Sequence, residues 1–156
     1  MNNVGRHKKI LVKNLMIKYY EKIKSYCIII LIHCKQKKGI MFMPYINSRL
    51  TVKLSYEQKK RIKDEMGKII SEIPGKSEEW LMVSFDDDKT IYFRGNKMEK
   101  AALVEVKICG TTERTYKNKV TDLICSFYQS EFDIPKDSIY VIFSEISDWG
   151  FNGNLF

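Results

Sequence analysis

The chain has 156 residues, of which 44% are hydrophobic and 29% are charged, as is typical of one soluble globular domain with a tail. Its net charge is +8, but residues 1–43 hold ten basic residues and one acid, which leaves 17 basic and 18 acidic residues in 44–156. Because that main part is nearly neutral, we expect it to have no nucleic-acid partner.

Residues 1–43 form a basic leader. Its one apolar run, 26–32, is far too short to span a membrane and is not followed by the small residues of a signal-peptide cleavage site. We therefore expect no membrane partner. Three interpretations stay open: a disordered tail that is cleaved off, a basic targeting segment, or upstream sequence read as protein with the true start at Met43. We favour the third, and we expect the leader to be poorly packed or loosely helical.

The first regular segment begins after the leader. Residues 45–52 alternate as a strand, and Ser55 and Gln58 match a capping box at the start of a helix. Pro74-Gly75 predicts the end of that helix. A strand over 81–85, a turn at 86–88 and a short strand at 91–93 follow. The helix is predicted from apolar residues at helical spacing, namely Ile62, Met66, Ile69, Ile70 and Ile73.

The second half repeats the first. Residues 102–108 read as a strand that Gly110 ends, and residues 139–143 read as another. Between them lies a helix with the same apolar offsets as the first, carried by Tyr116, Val120, Leu123, Ile124 and Phe127. Ile134-Pro135 echoes Ile73-Pro74. The chain from residue 44 therefore consists of two β-α-β repeats.

Two such repeats predict an α+β fold, an α/β sandwich in which a four-stranded mixed sheet carries both helices on one face. Right-handed crossovers make the strands within each repeat parallel. Residues 101–108 are apolar at more than alternate positions, so the other face of the sheet also needs a cover. Self-association would supply it, and we expect a homo-oligomer.

Several kinds of catalytic site are excluded or weak. Both histidines, His7 and His33, lie in the leader, which removes Ser/His and Cys/His nucleophiles from the main domain. Adjacent acids at 86–88 indicate a solvated turn rather than a metal site, and Gly110 before a helix is a weak match to an anion site. The four cysteines are too scattered for a metal site or a disulfide framework. They are Cys27, Cys34, Cys109 and Cys125.

Residues 44–156 resemble the macrophage migration inhibitory factor family of the tautomerase superfamily. No single motif decides this, but their order and spacing together are specific. The motifs are Met43-Pro44, Ile73-Pro74-Gly75-Lys76, Tyr92-Phe93-Arg94-Gly95, the strand 103–108, Asp137-Ser138-Ile139-Tyr140-Val141, and Asp148-Trp149-Gly150-Phe151-Asn152-Gly153.

The resemblance implies a catalytic base, Pro44, which acts only when it is the first residue of the chain. A terminal proline is a secondary amine with a lone pair, whereas an internal one is an amide. Lys76 would pair with a substrate carboxylate, and the backbone N–H of Cys109 would donate to the substrate. Enzymatic activity would therefore depend on the removal of residues 1–43.

The resemblance also implies an aromatic pocket, part of which a neighbouring subunit of a homotrimer supplies. A plainer interpretation is that the aromatic residues concerned belong to the core or to an interface. For Tyr140 we favour the pocket. The residues are Tyr45, Trp80, Tyr140, Trp149, Phe151 and Phe156.

The implied reaction is enol–keto tautomerisation of arylpyruvates or dopachrome-like 2-oxo acids, with no metal, nucleotide or redox cofactor. Two departures from the family pattern stand out. Ile142 replaces an asparagine that contacts substrate in some members, and 101–104 lacks the C-x-x-C pair of some animal members. Thiol oxidoreductase activity is therefore not expected.

Three functions follow for the chain. The first is an isomerase, and the second is a cytokine-like signalling or receptor-binding protein on the same scaffold. The third is a targeted, inactive paralogue that keeps its leader. We expect the protein in the cytoplasm, or exported without a secretory signal.

Overall fold

The computed structural model describes residues 43–155. The expected conformation of the leader and the pocket role of Phe156 concern residues outside this range. In chain order the elements are β1 (Pro44–Leu50), α1 (Tyr56–Ile70), β2 (Met82–Asp86), β3 (Tyr92–Phe93), β4 (Asn96–Lys97), β5 (Ala102–Cys109), α2 (Arg114–Phe132), β6 (Ile139–Ile146), β7 (Gly150–Phe151) and β8 (Asn154–Leu155). Short 3-10 helices precede β2 and β6, at Glu78–Trp80 and Lys136–Ser138.

One four-stranded sheet organises the described chain, in the order β2-β1-β5-β6. β1 is parallel to β2 and β5 is parallel to β6, whereas β1 and β5 are antiparallel. Each parallel pair is joined through its own helix, so the two predicted β-α-β repeats and the mixed sheet are confirmed. Both central strands are interior, and Pro44 lies opposite Ile108 in their register.

The core lies between the sheet and the two helices, which pack on the same face. Alternate residues of the central strands point into it, including Ile46 and Val106, both fully buried. The Tyr128 hydroxyl of α2 donates to the Ser48 Oγ of β1 at 2.7 Å, which ties the second repeat to the first. Among residues 43–155, the buried cluster lies between residues 46 and 139. The described part of the chain therefore has a hydrophobic core formed by the sheet and the two helices.

The start of α1 is as predicted, but its end is not. The Ser55 hydroxyl accepts from the Gln58 N–H, and the Gln58 side chain accepts from the Ser55 N–H, so the capping box is present. The helix ends at Ile70, three residues before the last apolar residue of the stripe. Residues 71–73 instead form tighter i→i−3 hydrogen bonds, which keep Ile73 buried without continuing the helix.

The open face of the sheet differs from the pattern-based expectation. The apolar residues of β5 fall mostly on the core side, and the open side carries Leu103, Glu105 and Lys107. Within the sheet, large exposed apolar side chains lie instead on the edge strands, at Met82 of β2 and at Tyr140 and Ile142 of β6. The exposed hydrophobic surface of the sheet therefore lies along its two edges rather than at its centre.

Within 43–155, no helix is long and apolar enough to cross a membrane.

Candidate active site

A cleft of about 450 Å³ opens where β1 begins. It is mainly apolar, with one basic and one acidic side chain among its lining residues. These are Met43, Pro44, Tyr45, Trp80, Met82, Lys107, Asp148, Trp149, Gly150 and Phe151. Five residues that the sequence predicted for the site thus come together: Pro44, Tyr45, Trp80, Trp149 and Phe151.

Pro44 is the buried first residue of β1. Since β1 is paired on both sides, a proline is tolerated only where its missing N–H breaks no ladder bond, which is the first position. The preceding carbonyl, that of Met43, accepts a hydrogen bond from the Cys109 N–H at 3.2 Å. The Cys109 N–H, which is expected to donate to the substrate, therefore donates to Met43 instead while Met43 is present.

Lys76 reaches the same end of β5 from the turn after α1. Gly75 has φ of 78°, a conformation that a side chain would strain, and the Lys76 N–H closes the turn onto the Ile73 carbonyl at 3.0 Å. The Lys76 Nζ donates to the Cys109 carbonyl at 2.7 Å. Burial of the ammonium lowers the pKa of Lys76 below its ordinary value. The cation is therefore held in a poorly solvated place beside the Met43–Cys109 contact.

A hairpin that the sequence interpretation missed builds one aromatic wall. β7 and β8 are joined by Asn152-Gly153, both with positive φ, 49° and 79°. Asn-Gly is a strong sequence signal for such a two-residue turn. The hairpin holds Phe151 edge-to-face against Trp80, with ring centroids 5.8 Å apart. The two tryptophans of the chain, Trp80 and Trp149, both line this cleft.

Tyr140 lies elsewhere in the same chain. It pairs with Leu103, five residues along β5 from Ile108, which corresponds to about 17 Å of strand. There it packs on the Phe93 ring at 5.3 Å and lines a separate groove of about 200 Å³. Tyr140 therefore does not reach the cleft of its own chain.

Five further lining residues were not predicted to belong to the site. They are Met43, Met82, Lys107, Asp148 and Gly150. For Met82 and Lys107 the signal was strand register, because both lie opposite Tyr45 on the neighbouring strands and share its face of the sheet. That register becomes known only when the strands are paired.

Comparison with known proteins identifies the family of this chain. The family model for macrophage migration inhibitory factor (MIF) matches residues 43–156. The crystal structure of Leishmania major MIF2 superposes with a TM-score of 0.68 at 29% identity, covering 74% of this chain and 98% of that one. The homologue from Prochlorococcus marinus gives 0.64 at 28% identity, covering 72% and 98%. The MIF-like protein of Entamoeba histolytica gives 0.65 at 25%, covering 73% and 99%. No match is found among curated proteins.

The doubled β-α-β sheet and the match of these folds define a member of the tautomerase superfamily. Within that superfamily, the chain belongs to the macrophage migration inhibitory factor family. The predicted family is thereby confirmed, and it carries the expectation of isomerase chemistry.

The contact between Met43 and Cys109 generates a first prediction. A chain that begins at Pro44 lacks the Met43 carbonyl, so the Cys109 N–H loses its acceptor. We expect its hydrogen exchange, measured by NMR, to become about fivefold faster than in a chain that begins at Met43, because a hydrogen bond contributes about 1 kcal/mol. The amide of Val106, buried in the middle of the same strand, is the control. Equal protection of Cys109 in both chains would contradict the contact.

Proposed function

We propose that residues 44–156, once separated from residues 1–43, catalyse enol–keto tautomerisation of arylpyruvates or dopachrome-like 2-oxo acids. The amine of Pro44 is the general base. The observation that carries the proposal is the position of Pro44, which begins an interior strand and lines an aromatic cleft. Membership of the family supports isomerase chemistry in general, and this position supports the particular base.

The chemistry requires a free and neutral amine. An ordinary terminal amine titrates near pH 8, about a unit above neutrality, and apolar surroundings disfavour its ammonium form. The rings of Trp80 and Phe151 provide such surroundings. In the reaction the amine takes the proton of the enol hydroxyl, and the resulting ammonium delivers a proton to the substrate C3 as the keto C=O forms. The amine is regenerated and nothing else is consumed.

The carboxylate of the substrate would be held at the end of β5. Lys76 supplies an ammonium group there, at the Cys109 carbonyl, and the Cys109 N–H is a donor on the same residue once Met43 is gone. A carboxylate accepting from an ammonium and a backbone N–H is bound by charge-assisted hydrogen bonds, which are strong in a poorly solvated site.

The assembly that we propose is a homotrimer. It would cover the exposed apolar residues of the edge strands, Met82, Tyr140 and Ile142. It would also bring Tyr140 of one subunit to the Pro44 cleft of the next, which is the one way for Tyr140 to contribute, since it does not reach its own. Ile142 would accompany Tyr140 and make that wall apolar.

A receptor-binding protein without catalysis, on the same scaffold, is the second candidate. It is favoured by the uncut chain, in which the Pro44 nitrogen is an amide and the Cys109 N–H is bonded to Met43. A protein that functions with its leader attached would have no base in the cleft.

The first functional prediction concerns the base. A chain that begins at Pro44 should convert the enol of phenylpyruvate to the keto form, and the full chain should not. Pro44→Gly in the shortened chain should lower kcat/KM at least about 100-fold, because a positioned general base contributes that much or more. Ultraviolet absorbance of the enol follows the reaction. Pro135→Gly, in the connection before β6, is the matched control and should keep full activity. Equal rates for Pro44→Gly and the parent chain would remove Pro44 as the base.

The pH dependence follows from the lowered pKa of Lys76. The carboxylate is bound only while Lys76 is charged, so kcat/KM should fall as pH rises through a pKa that lies below the usual lysine value of 10.5. Arginine stays charged to about pH 12, so Lys76→Arg should move this alkaline limb upward. The acid limb, set by protonation of Pro44, should stay in place. Lys119→Arg on the surface is the control, and an unmoved alkaline limb in Lys76→Arg would refute the assignment.

The shared site can be tested by subunit mixing. Pro44→Gly and Tyr140→Ala chains, each impaired alone, should regain part of the parent activity when refolded together, because some clefts then combine an intact Pro44 with an intact Tyr140. Mixing Pro44→Gly with Lys76→Gln is the control. Those two groups belong to one chain's cleft, so no mixed trimer repairs it. No recovery in the first mixture, with trimers present by light scattering, would exclude Tyr140 from a shared site.

A further inference from the structure

Lys107 is a basic residue that lines the cleft. The proposed reaction gives it no role. Lys107 lies on β5, immediately before the residue opposite Pro44, and its own partner across the strands is Tyr45. Its side chain is 39% exposed and lines the cleft together with Pro44 and both tryptophans. Lys107 is thus accessible to a molecule bound beside Pro44.

The ammonium of Lys107 lies between an aromatic ring and a carboxylate. Its Nζ lies 5.6 Å from the centre of the Tyr45 ring, and that ring is fixed by a hydrogen bond of 2.8 Å between its hydroxyl and the Ser84 Oγ. On the other side, Nζ is 3.7 Å from one carboxylate oxygen of Glu105. The other oxygen of Glu105 accepts a hydrogen bond from the Asn47 amide at 3.4 Å. A lysine normally loses much side-chain freedom when it binds an anion, and here part of that freedom is already restricted.

These contacts leave the positive charge available. A half-exposed ion pair at 3.7 Å in water contributes little, and a cation–π contact at the surface is similarly weak. An anionic group of a ligand that approaches Nζ at hydrogen-bond distance, with water partly excluded, makes a stronger contact than either. Glu105 therefore orients Lys107 without neutralising it.

Lys76 and Lys107 are both associated with the end of β5 that lies opposite Pro44. Lys76 donates to the carbonyl of Cys109, which follows Ile108, and Lys107 precedes Ile108. In the proposed function Lys76 binds the carboxylate of the 2-oxo acid, so Lys107 remains for another group. Asp148, the acid that lines the cleft at the start of the hairpin, would repel an anion from that side and so favour the Lys107 side.

We propose that Lys107 determines specificity by binding a second anionic group, so that the preferred substrates are aromatic 2-oxo acids with an acidic substituent on the ring. This inference rests on the proposed function, because it takes the 2-oxo acid group to be bound at Lys76. It assigns Lys107 to substrate recognition and not to proton transfer. Its effect therefore depends on the charge of the substrate.

The test compares two ligands in the chain that begins at Pro44, which retains the buried cluster of residues 46–139. The ligands are phenylpyruvate and 4-carboxyphenylpyruvate, and binding is followed by quenching of Trp80 and Trp149. We expect the carboxylated ligand to bind about tenfold more tightly, as one charge-assisted contact allows. Lys107→Gln should abolish that preference and leave phenylpyruvate binding nearly unchanged. Lys107→Arg should retain it, and Lys53→Gln, an exposed lysine before α1, is the matched control.

Salt gives a second measurement. The preference should shrink as ionic strength rises, because a partly exposed ion pair is screened. Equal preference in the parent chain and Lys107→Gln, or no preference in the parent chain, overturns the role of Lys107. Failure of the proposed function looks different: both ligands would bind with the predicted preference, while the enol of neither would be converted faster than in buffer.

Discussion

The physical constraint on which the site depends is that a proline cannot donate to a β-sheet ladder. β1 is flanked by β2 on one side and by β5 on the other, so Pro44 is compatible only with its first position. That position lies at the end of the sheet, opposite the last residues of β5. The Met43 carbonyl, which precedes the ring nitrogen, accepts from the Cys109 N–H at this end, and the Cys109 carbonyl accepts from the Lys76 Nζ.

Poor solvation has two opposing effects at this end of the sheet. It disfavours charged groups, but it strengthens the contacts that a charged group makes. Apolar rings favour a neutral amine, and burial separately disfavours the charged form of Lys76, whose pKa it lowers. The Cys109 carbonyl offsets part of this by accepting from Nζ at 2.7 Å. In the proposed function the same ammonium binds a substrate carboxylate, and in poorly solvated surroundings such a charge-assisted contact is stronger than it would be at the surface.

The sequence predicted the fold closely because its signals are local. Helical spacing of apolar residues, the Ser55–Gln58 capping box and strand alternation each depend on neighbours a few residues apart. The predicted end of α1 was wrong because Ile73 is buried although it lies beyond the last helical residue. The spacing of buried residues therefore does not mark the end of the helix. The β7–β8 hairpin was missed even though Asn152-Gly153 is a local signal.

The site was less accessible to sequence reasoning, because it is formed by pairing between distant segments. Lys107 enters the cleft only through its register with Tyr45, and no spacing within β5 indicates this. Tyr140 was assigned to the pocket from resemblance, and the register now shows that it lies about 17 Å along the sheet from Pro44 in its own chain. If Tyr140 belongs to the pocket, as proposed, it must come from a second chain, which ties the proposed chemistry to the proposed assembly.

The bond between Met43 and Pro44 affects two groups together, the Pro44 nitrogen and the Cys109 N–H. While it is intact, the ring nitrogen is an amide without useful basicity, and the carbonyl of the same bond accepts the Cys109 N–H. Hydrolysis of this one bond would free both the Pro44 amine, which is the proposed base, and the Cys109 N–H. Both effects come from the single residue before Pro44, so a chain trimmed to Met43 would keep the amide and the bonded Cys109 N–H. In the proposed function, cleavage of this one peptide bond is therefore the step that frees both groups.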